Sequence, residues 1–415
     1  MAIIAGGINK QKFSLILEPA DWILVISFLT LLIYGLAKQR SYVFRIERIE
    51  IILLLYLFCA LITPLFYHLG EGVNESLFKY FIPVRLYIAY KVFYFLISES
   101  KIKFYSGLNI TNLIPVLLHA GLLSAIISLI NMSPYDIPFI SEIVKDLWPL
   151  PRLNWYRLWG TNGGTNAAGN LFAVLTIFSV YYYYNINKSR LVFCYVILFI
   201  ICLLFSGSLS SLGALIISFV LYQIIIEKKS PINIKYIIIY TLLVFSIVLS
   251  VQTVKTSIEK RIKIQFYNSG EFKFLPFSLE DRIYWWKRQY EIISEENKMI
   301  FGYGPGGIKQ SKHASKIDTG PESFYMTLLQ HYGILAIIAF IALIIKVISK
   351  IKTHCFISKH FKVLYPVILF YPIAGIANET FHYGAMIEIF ALILSLLAVA
   401  PLGRGKTKLK KATIY

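Results

Sequence analysis

Charge is scarce in this chain: Asp, Glu, Lys and Arg make up 15% of its 415 residues, against roughly 25% in an average soluble domain, while 57% are hydrophobic. A water-soluble globule cannot bury that much apolar side chain, which excludes a cytosolic or secreted enzyme. Cysteine is scarce too. Of Cys59, Cys194, Cys202 and Cys355, the first three fall inside apolar runs, so neither a disulfide framework nor a metal cluster is expected. The hydrophobic runs lack the polar–apolar alternation that the strands of a membrane barrel require. No Walker Lys-Ser/Thr pair accompanies the glycine-rich run near residue 304. The segment Glu71–Ser76 has neither an Asp-x-Asp nor a carboxylate–histidine pair, which argues against metal-dependent lipid-phosphate glycosyltransferases. Cations outnumber acids, 41 Lys and Arg to 22 Asp and Glu, for a net charge of +19, but they are scattered through short connectors. That pattern reads as topology and not as nucleic-acid binding. No metal and no cofactor is expected.

What the sequence does hold is a series of Ile/Leu/Phe/Tyr-rich stretches, each about long enough to cross a hydrocarbon core of roughly 30 Å. They fall at 21–38, 49–68, 79–98, 112–131, 166–186, 191–207, 210–227, 234–254, 323–349, 362–379 and 384–402. The fold class is therefore all-α, a polytopic membrane protein with eleven spans, or twelve if a further embedded segment lies within 1–20. Basic connectors at Lys38–Arg48, Lys101–Lys103, Lys188–Arg190, Lys228–Lys229, Lys350–Lys359 and Arg404–Lys411 face the cytoplasm by the positive-inside rule. Connectors 69–78, 132–165, 208–209, 255–322 and 380–383 are then external. The chain divides into an N-terminal bundle, 1–254, which includes the external segment 132–165; a large external loop, 255–322; and C-terminal helices with a basic tail, 323–415. Long polar loops between minimal connectors are where function is expected.

Within the external loop, the spacing of Ile283, Trp286, Tyr290 and Ile293 predicts a helix over 279–297 with these four as its apolar stripe. Glu280 and Asp281 suit its N-terminus. Arg282, Trp285, Arg288 and Gln289 lie on neighbouring faces. The turn Phe301–Gly307, "FGYGPGG", brings backbone close to a partner, and "GPESFYMTLLQHYGIL" leads into the ninth span. Upstream, "RLWGTNGGTNAAGN" contains Arg157 and leads into the fifth span; its small residues also suit a helix cap and close packing. "SGSLSSLG" over 206–213 forms the turn between the sixth and seventh spans.

An arginine-led helix, a glycine turn and a polar pair ahead of the next span, in this order in a large external loop, resemble the O-antigen polymerase and ligase superfamily over roughly residues 150–345. The resemblance implies a GT-C-like fold with short helices in a large periplasmic loop, in the bacterial inner membrane. Arg282 matches the family's loop arginine, and Gly302 and Gly304 its turn. Glu322-Ser323 stands where ligases usually carry His-Asn, which favours a polymerase. The turn at 206–213 resembles the family's Ser-Arg turn but lacks the arginine.

By this resemblance the substrates are undecaprenyl-diphosphate-linked oligosaccharides, donor and acceptor, with membrane lipids and a chain-length regulator as further partners. Arginine forks suit a departing diphosphate, so Arg282, Arg157, Arg288 and Arg85 are candidates, the last lying in the third span with Lys91. Arg85 has a structural alternative, pairing with Glu379 or Glu388. Glu322 is the candidate general base, with Asp281, Glu379 and Glu388 behind it. Ser323, Glu379 and His382 are placed at the cavity, and Tyr284, Trp285, Tyr303 and Tyr325 could stack on sugar rings or form an interfacial belt. His331 reads as packing or capping. Two rivals remain open: a ligase joining glycan to lipid A-core, and a transporter or flippase using Arg85, Lys91 and Glu388.

Overall fold

The computed structural model describes residues 19–40, 43, 45–66, 82–103, 110–132, 158, 164–227, 259, 263–268, 270–304, 311–313, 322–355, 358–382 and 384–399. The expected eighth span (234–254), Arg157 and the basic tail lie outside them. In chain order the helices are α1 (Pro19–Ala37), α2 (Arg48–Phe66), α3 (Ile82–Lys103), α4 (Ile110–Met132), α5 (Thr165–Asn185), α6 (Arg190–Ser206) and α7 (Leu209–Leu221). Then come the strands β1 (Tyr267–Asn268) and β2 (Glu271–Phe272), followed by α8 (Phe277–Glu295), α9 (Phe324–Cys355), α10 (Leu364–Ala377) and α11 (Gly384–Val399). Every other expected span coincides with one of these helices.

By length and composition, Ile110–Ile130, Phe324–Cys355 and Lys359–Ala377 are each long and apolar enough to cross a membrane, and shorter apolar helices such as Asp21–Ala37 and Arg190–Ser206 flank them. The helices are apolar on their outward faces as well. Ile33, Ile51, Leu55, Val116 and Ile345 are exposed, as expected where the surrounding solvent is lipid. Among the described residues the fold is helical apart from one short hairpin, and its apolar helices are those of a membrane protein.

The helices pack in pairs, α5 with α6, α3 with α11, α2 with α9 and α7 with α10, around one continuous core. Under the end that carries the polar residues lies an aromatic cluster. Phe324 meets Phe340 and Phe381 at 4.8 Å between ring centroids, and Tyr371 and Phe390 lie 5.1 Å from Phe381. Phe381, in the connector between α10 and α11, is thus a fully buried anchor.

Local chemistry sets the boundaries. Gly207 takes the left-handed conformation (φ 60) that ends α6, and Ser208 at once caps α7 by accepting from Ser211 N, so two helices meet across two residues. The hairpin β1–β2 turns at Gly270 (φ 83). The turn before the hairpin caps α8: Pro276 offers no side-chain cap, and Gln265 Oε1 accepts from Ser278 N at 3.0 Å. The apolar stripe expected for α8 is not its buried face. Gln289, Ile292 and Ile293 are buried, while Ile283 and Tyr290 are exposed. Polar contacts made by Arg282 and Gln289 orient this helix and override its apolar spacing.

Candidate functional site

Three segments bring their polar groups together at one end of the bundle. α8 supplies Arg282, the residues just before α9 supply Glu322 and Ser323, and the end of α10 supplies Ala377, Asn378 and Glu379. Arg282 donates from Nε to Glu322 Oε2 at 2.6 Å and from Nη1 to Ala377 O at 3.0 Å. Its side chain is 18% exposed and that of Glu322 is 56% exposed, so the cation is sheltered and its carboxylate partner faces outward. By reaching Ala377 O, the guanidinium caps the C-terminus of α10, where free carbonyls carry partial negative charge. Glu322 sits at φ 45, a left-handed backbone that is unusual for a residue with a side chain.

Ser323 precedes the first turn of α9. Its Oγ donates to Gly375 O at 3.3 Å, and its carbonyl accepts from Thr327 N at 2.9 Å. The Thr327 hydroxyl lies 2.9 Å from Ser323 O and 3.1 Å from Glu379 Oε1. Glu322 and Ser323 are adjacent in the chain, so these contacts bring Glu322, Ser323 and Glu379 to the same end of the bundle as Arg282.

The glycine turn finds its partner in α9, which breaks at Gly333 (φ 75, ψ −173). There Tyr303 N donates to Gln330 O at 2.6 Å, Gly304 N to His331 O at 3.0 Å, and Ile334 N to Met299 O at 2.8 Å. Gly302 is at φ 69, and a Cβ on it would lie 2.7 Å from Gln330 O and His331 C. The turn thus replaces the hydrogen bonds that the break removes from α9. Gln330 Nε2 donates to the buried Gln289 Oε1 at 2.9 Å, tying α8 to the same break. His331 is buried at the break against Tyr332, which agrees with the packing role expected for it.

Tyr303 is buried and donates to Glu296 Oε2 at 2.9 Å, while Ser311 donates to Glu296 Oε1 at 2.7 Å. Burial works to raise the Glu296 carboxyl, but the bonds from Ser311 and Tyr303, with His313 nearby, outweigh it and hold the group below its usual range. Such a carboxylate stabilises fully above its unfolded value, about 4.3, and loses that contribution as pH falls through its folded value. Acidification from neutral pH to below the usual carboxylate range is expected to loosen the turn, seen as faster proteolysis between residues 296 and 322. Glu296→Gln should flatten that pH dependence, and an unchanged dependence would remove Glu296 as its source.

Beneath Ala377 lies a cluster that sequence reasoning did not assemble. Ser211 Oγ donates to Asn170 Oδ1 at 2.7 Å and lies 2.7 Å from Ser208 Oγ. Asn378 Nδ2 lies 3.4 Å from Asn170 Oδ1 and 3.5 Å from Ser211 Oγ. All four side chains are buried. Gly169 permits this approach, since a Cβ there would lie 2.6 Å from Ser208 Cβ. "TNAAGN" and "SGSLSSLG" thus meet across α5 and α7, and their richness in Gly, Ser and Asn is the one signal that pointed to it. Leu158, the neighbour of Arg157, is buried and donates from its backbone to Phe205 O at 2.8 Å.

The other described candidates make their own contacts. Arg288 pairs with Glu291 at 3.3 Å along α8. Tyr284 is exposed, with Trp285 against it edge-to-face at 5.3 Å. Tyr325 turns into the bundle and donates to Pro372 O at 3.1 Å. His382 lies in the turn Thr380–His382.

Arg85 is buried between α1 and α11, 3.2 Å from Asp21 Oδ1 and 3.9 Å from Glu388 Oε1, and Gly384 leaves room for its guanidinium. Pairing within the bundle is what the structure holds for this residue, and Lys91 likewise pairs with Glu50. Among the described residues, no group of three or more His, Cys, Asp or Glu side chains gathers as metal ligands would.

No curated protein matches the chain. Residues 194–341, which run from α6 through α8 and the glycine turn into the second half of α9, match the family model described as O-antigen ligase, and over this segment the chain is similar to that family.

Proposed function

We propose that the protein is a polysaccharide polymerase of the inner membrane, which transfers a growing glycan from undecaprenyl diphosphate onto a second lipid-linked repeat unit at the periplasmic face. The orientation follows from the basic connectors on the opposite side. In the reaction, an acceptor hydroxyl oxygen bonds to the anomeric carbon, the bond from that carbon to the donor's phosphate oxygen breaks, and the diphosphate leaves with the electron pair. The hydroxyl proton passes to a carboxylate.

The observation that carries this reading is the Arg282–Glu322 pair, a sheltered guanidinium anchored on a helix end and a more exposed carboxylate at 2.6 Å. The incoming diphosphate takes the place of the carboxylate on the guanidinium, where charge-assisted bonds stabilise it as it departs. Glu322, released from its cation, accepts the acceptor's proton. Arg288 adds positive charge for the lipid diphosphates, a role that the sequence resemblance alone gives to Arg157; Glu379 and His382 border the acceptor, and Tyr284 with Trp285 offers an aromatic face to sugar rings. Arg85, engaged with Asp21 and Glu388, has no part in this scheme.

The matched family is described as O-antigen ligase, and that description favours a second reading in which lipid A-core is the acceptor. Glu322-Ser323 in place of His-Asn favours polymerisation. The lipopolysaccharide banding pattern of a deletion strain separates the two, since core capped by single repeats marks a polymerase and bare core a ligase. Glu322→Gln is expected to lower chain extension by about 10²-fold or more, against a few-fold for Ser323→Ala. Normal polymer from the Gln variant would send the proton elsewhere.

A further inference from the structure

We infer that Asn378 is a positioning residue that sets where the Arg282 fork points; this rests on reading Arg282 as the group that holds the diphosphate. Asn378 follows the last residue of α10 and takes an extended backbone (φ −146, ψ 151), which ends the helix and leaves the Ala377 carbonyl for Arg282 Nη1 at 3.0 Å. Three sets of contacts fix that backbone. The Asn378 carbonyl accepts from Phe324 N, the first residue of α9, at 3.1 Å and from Thr380 N at 2.9 Å. Its amide nitrogen reaches Asn170 Oδ1 and Ser211 Oγ, on α5 and α7. With the side chain 1% exposed, no water competes for these partners.

One buried residue thus couples α9, through its backbone carbonyl, and α5 and α7, through its side-chain amide, to the α10 carbonyl that carries half of the fork's anchoring. The other half is Glu322, the group that donor binding displaces. At that moment Ala377 O is the described contact left to Arg282, and the precision of the guanidinium depends on Asn378. Without its amide, the end of α10 can relax and the carbonyl swing, moving the charge relative to the leaving diphosphate. A displacement of about 1 Å is enough to cost roughly a hundredfold in rate.

The test is a double-mutant cycle in reconstituted vesicles, with a synthetic undecaprenyl-diphosphate-linked repeat as both donor and acceptor. Asn378→Ala is expected to lower kcat about a hundredfold while KM stays within about twofold, because the charge remains available but misplaced. In an Arg282→Ala background the same change should cost no more than about twofold, since there is no fork left to aim. A wild-type kcat for Asn378→Ala, or an equal fold-loss in both backgrounds, overturns the inference.

If Asn378→Ala fails to assemble in detergent gel filtration, Ser211→Ala decides. It removes one brace of the amide and is expected to lower kcat about fivefold with KM unchanged and no further loss in the Arg282→Ala background. Full activity of Ser211→Ala in that case overturns it. Failure of the underlying reading has its own signature: Arg282→Ala alone would retain activity, whatever the Asn378 variants do.

Discussion

Arg282→Ala is expected to cut chain extension about a thousandfold, leaving lipopolysaccharide core capped by single repeats and no ladder above them. The reasoning separates chemistry from stability. The ion pair lost with this change involves a carboxylate that is 56% exposed and is worth at most about 1 kcal/mol, and the bond to Ala377 O adds about 1 kcal/mol more, a loss small beside the expected effect on rate. The variant should therefore reach the membrane at normal levels and with a near-normal melting temperature, and the loss should appear in kcat. Arg282→Lys refines the result. A lysine ammonium donates from one atom and cannot reproduce the spacing of Nε and Nη1 that meets Glu322 and Ala377 O, so it keeps the charge and loses the fork, and its activity should fall between wild type and alanine. A normal banding ladder from Arg282→Ala would remove this residue from the reaction.

Gly333→Ala is expected to have the largest effect on stability. The glycine sits at φ 75 inside α9, where an L side chain costs about 1–2 kcal/mol in itself. A Cβ there would lie 1.9 Å from Ile300 O and 2.2 Å from Ile300 C, so the glycine turn must move away. The bonds from Tyr303, Gly304 and Ile334 break with it, at about 1 kcal/mol each. The sum is about 4–5 kcal/mol, read as a lower melting temperature in detergent and as new cleavage between residues 296 and 322. Gly213→Ala is the control, since nothing lies within 4 Å of a Cβ built there, and it should be neutral. Equal melting of the two variants would show that the turn does not depend on its seat in the break of α9.

The sequence exposed the membrane helices almost to the residue because hydrophobicity and span length act locally: α2 at Arg48–Phe66 and α6 at Arg190–Ser206 match the stretches 49–68 and 191–207. Its glycines were equally legible. Gly302 and Gly304 announced a close approach of backbone, but that its partner is the break in α9 at Gly333 came only from the structure. What could not be read was the direction of α8. Its apolar spacing put Ile283 and Tyr290 inward, but two polar contacts, Arg282 to Ala377 and Gln289 to Gln330, turned them outward. Periodicity assumes that an apolar face seeks a core, and a helix docked on polar ends of other helices escapes that rule. Tyr303 and Tyr325 were ambiguous for a related reason, since a tyrosine that stacks on a sugar and one whose hydroxyl reaches a carbonyl inside a bundle have the same local sequence.

Composition and span length alone pointed to a membrane protein built of helices, because transfer from water to lipid is a sum over local residues. Only the tertiary structure decided which polar residues share a site. Asn170, Ser211 and Asn378 come from three helices up to 208 positions apart, and Arg282 reaches across 95 residues to Ala377. Hydrogen bonds between such distant groups depend on how the helices cross, and that geometry leaves no periodic trace in the chain.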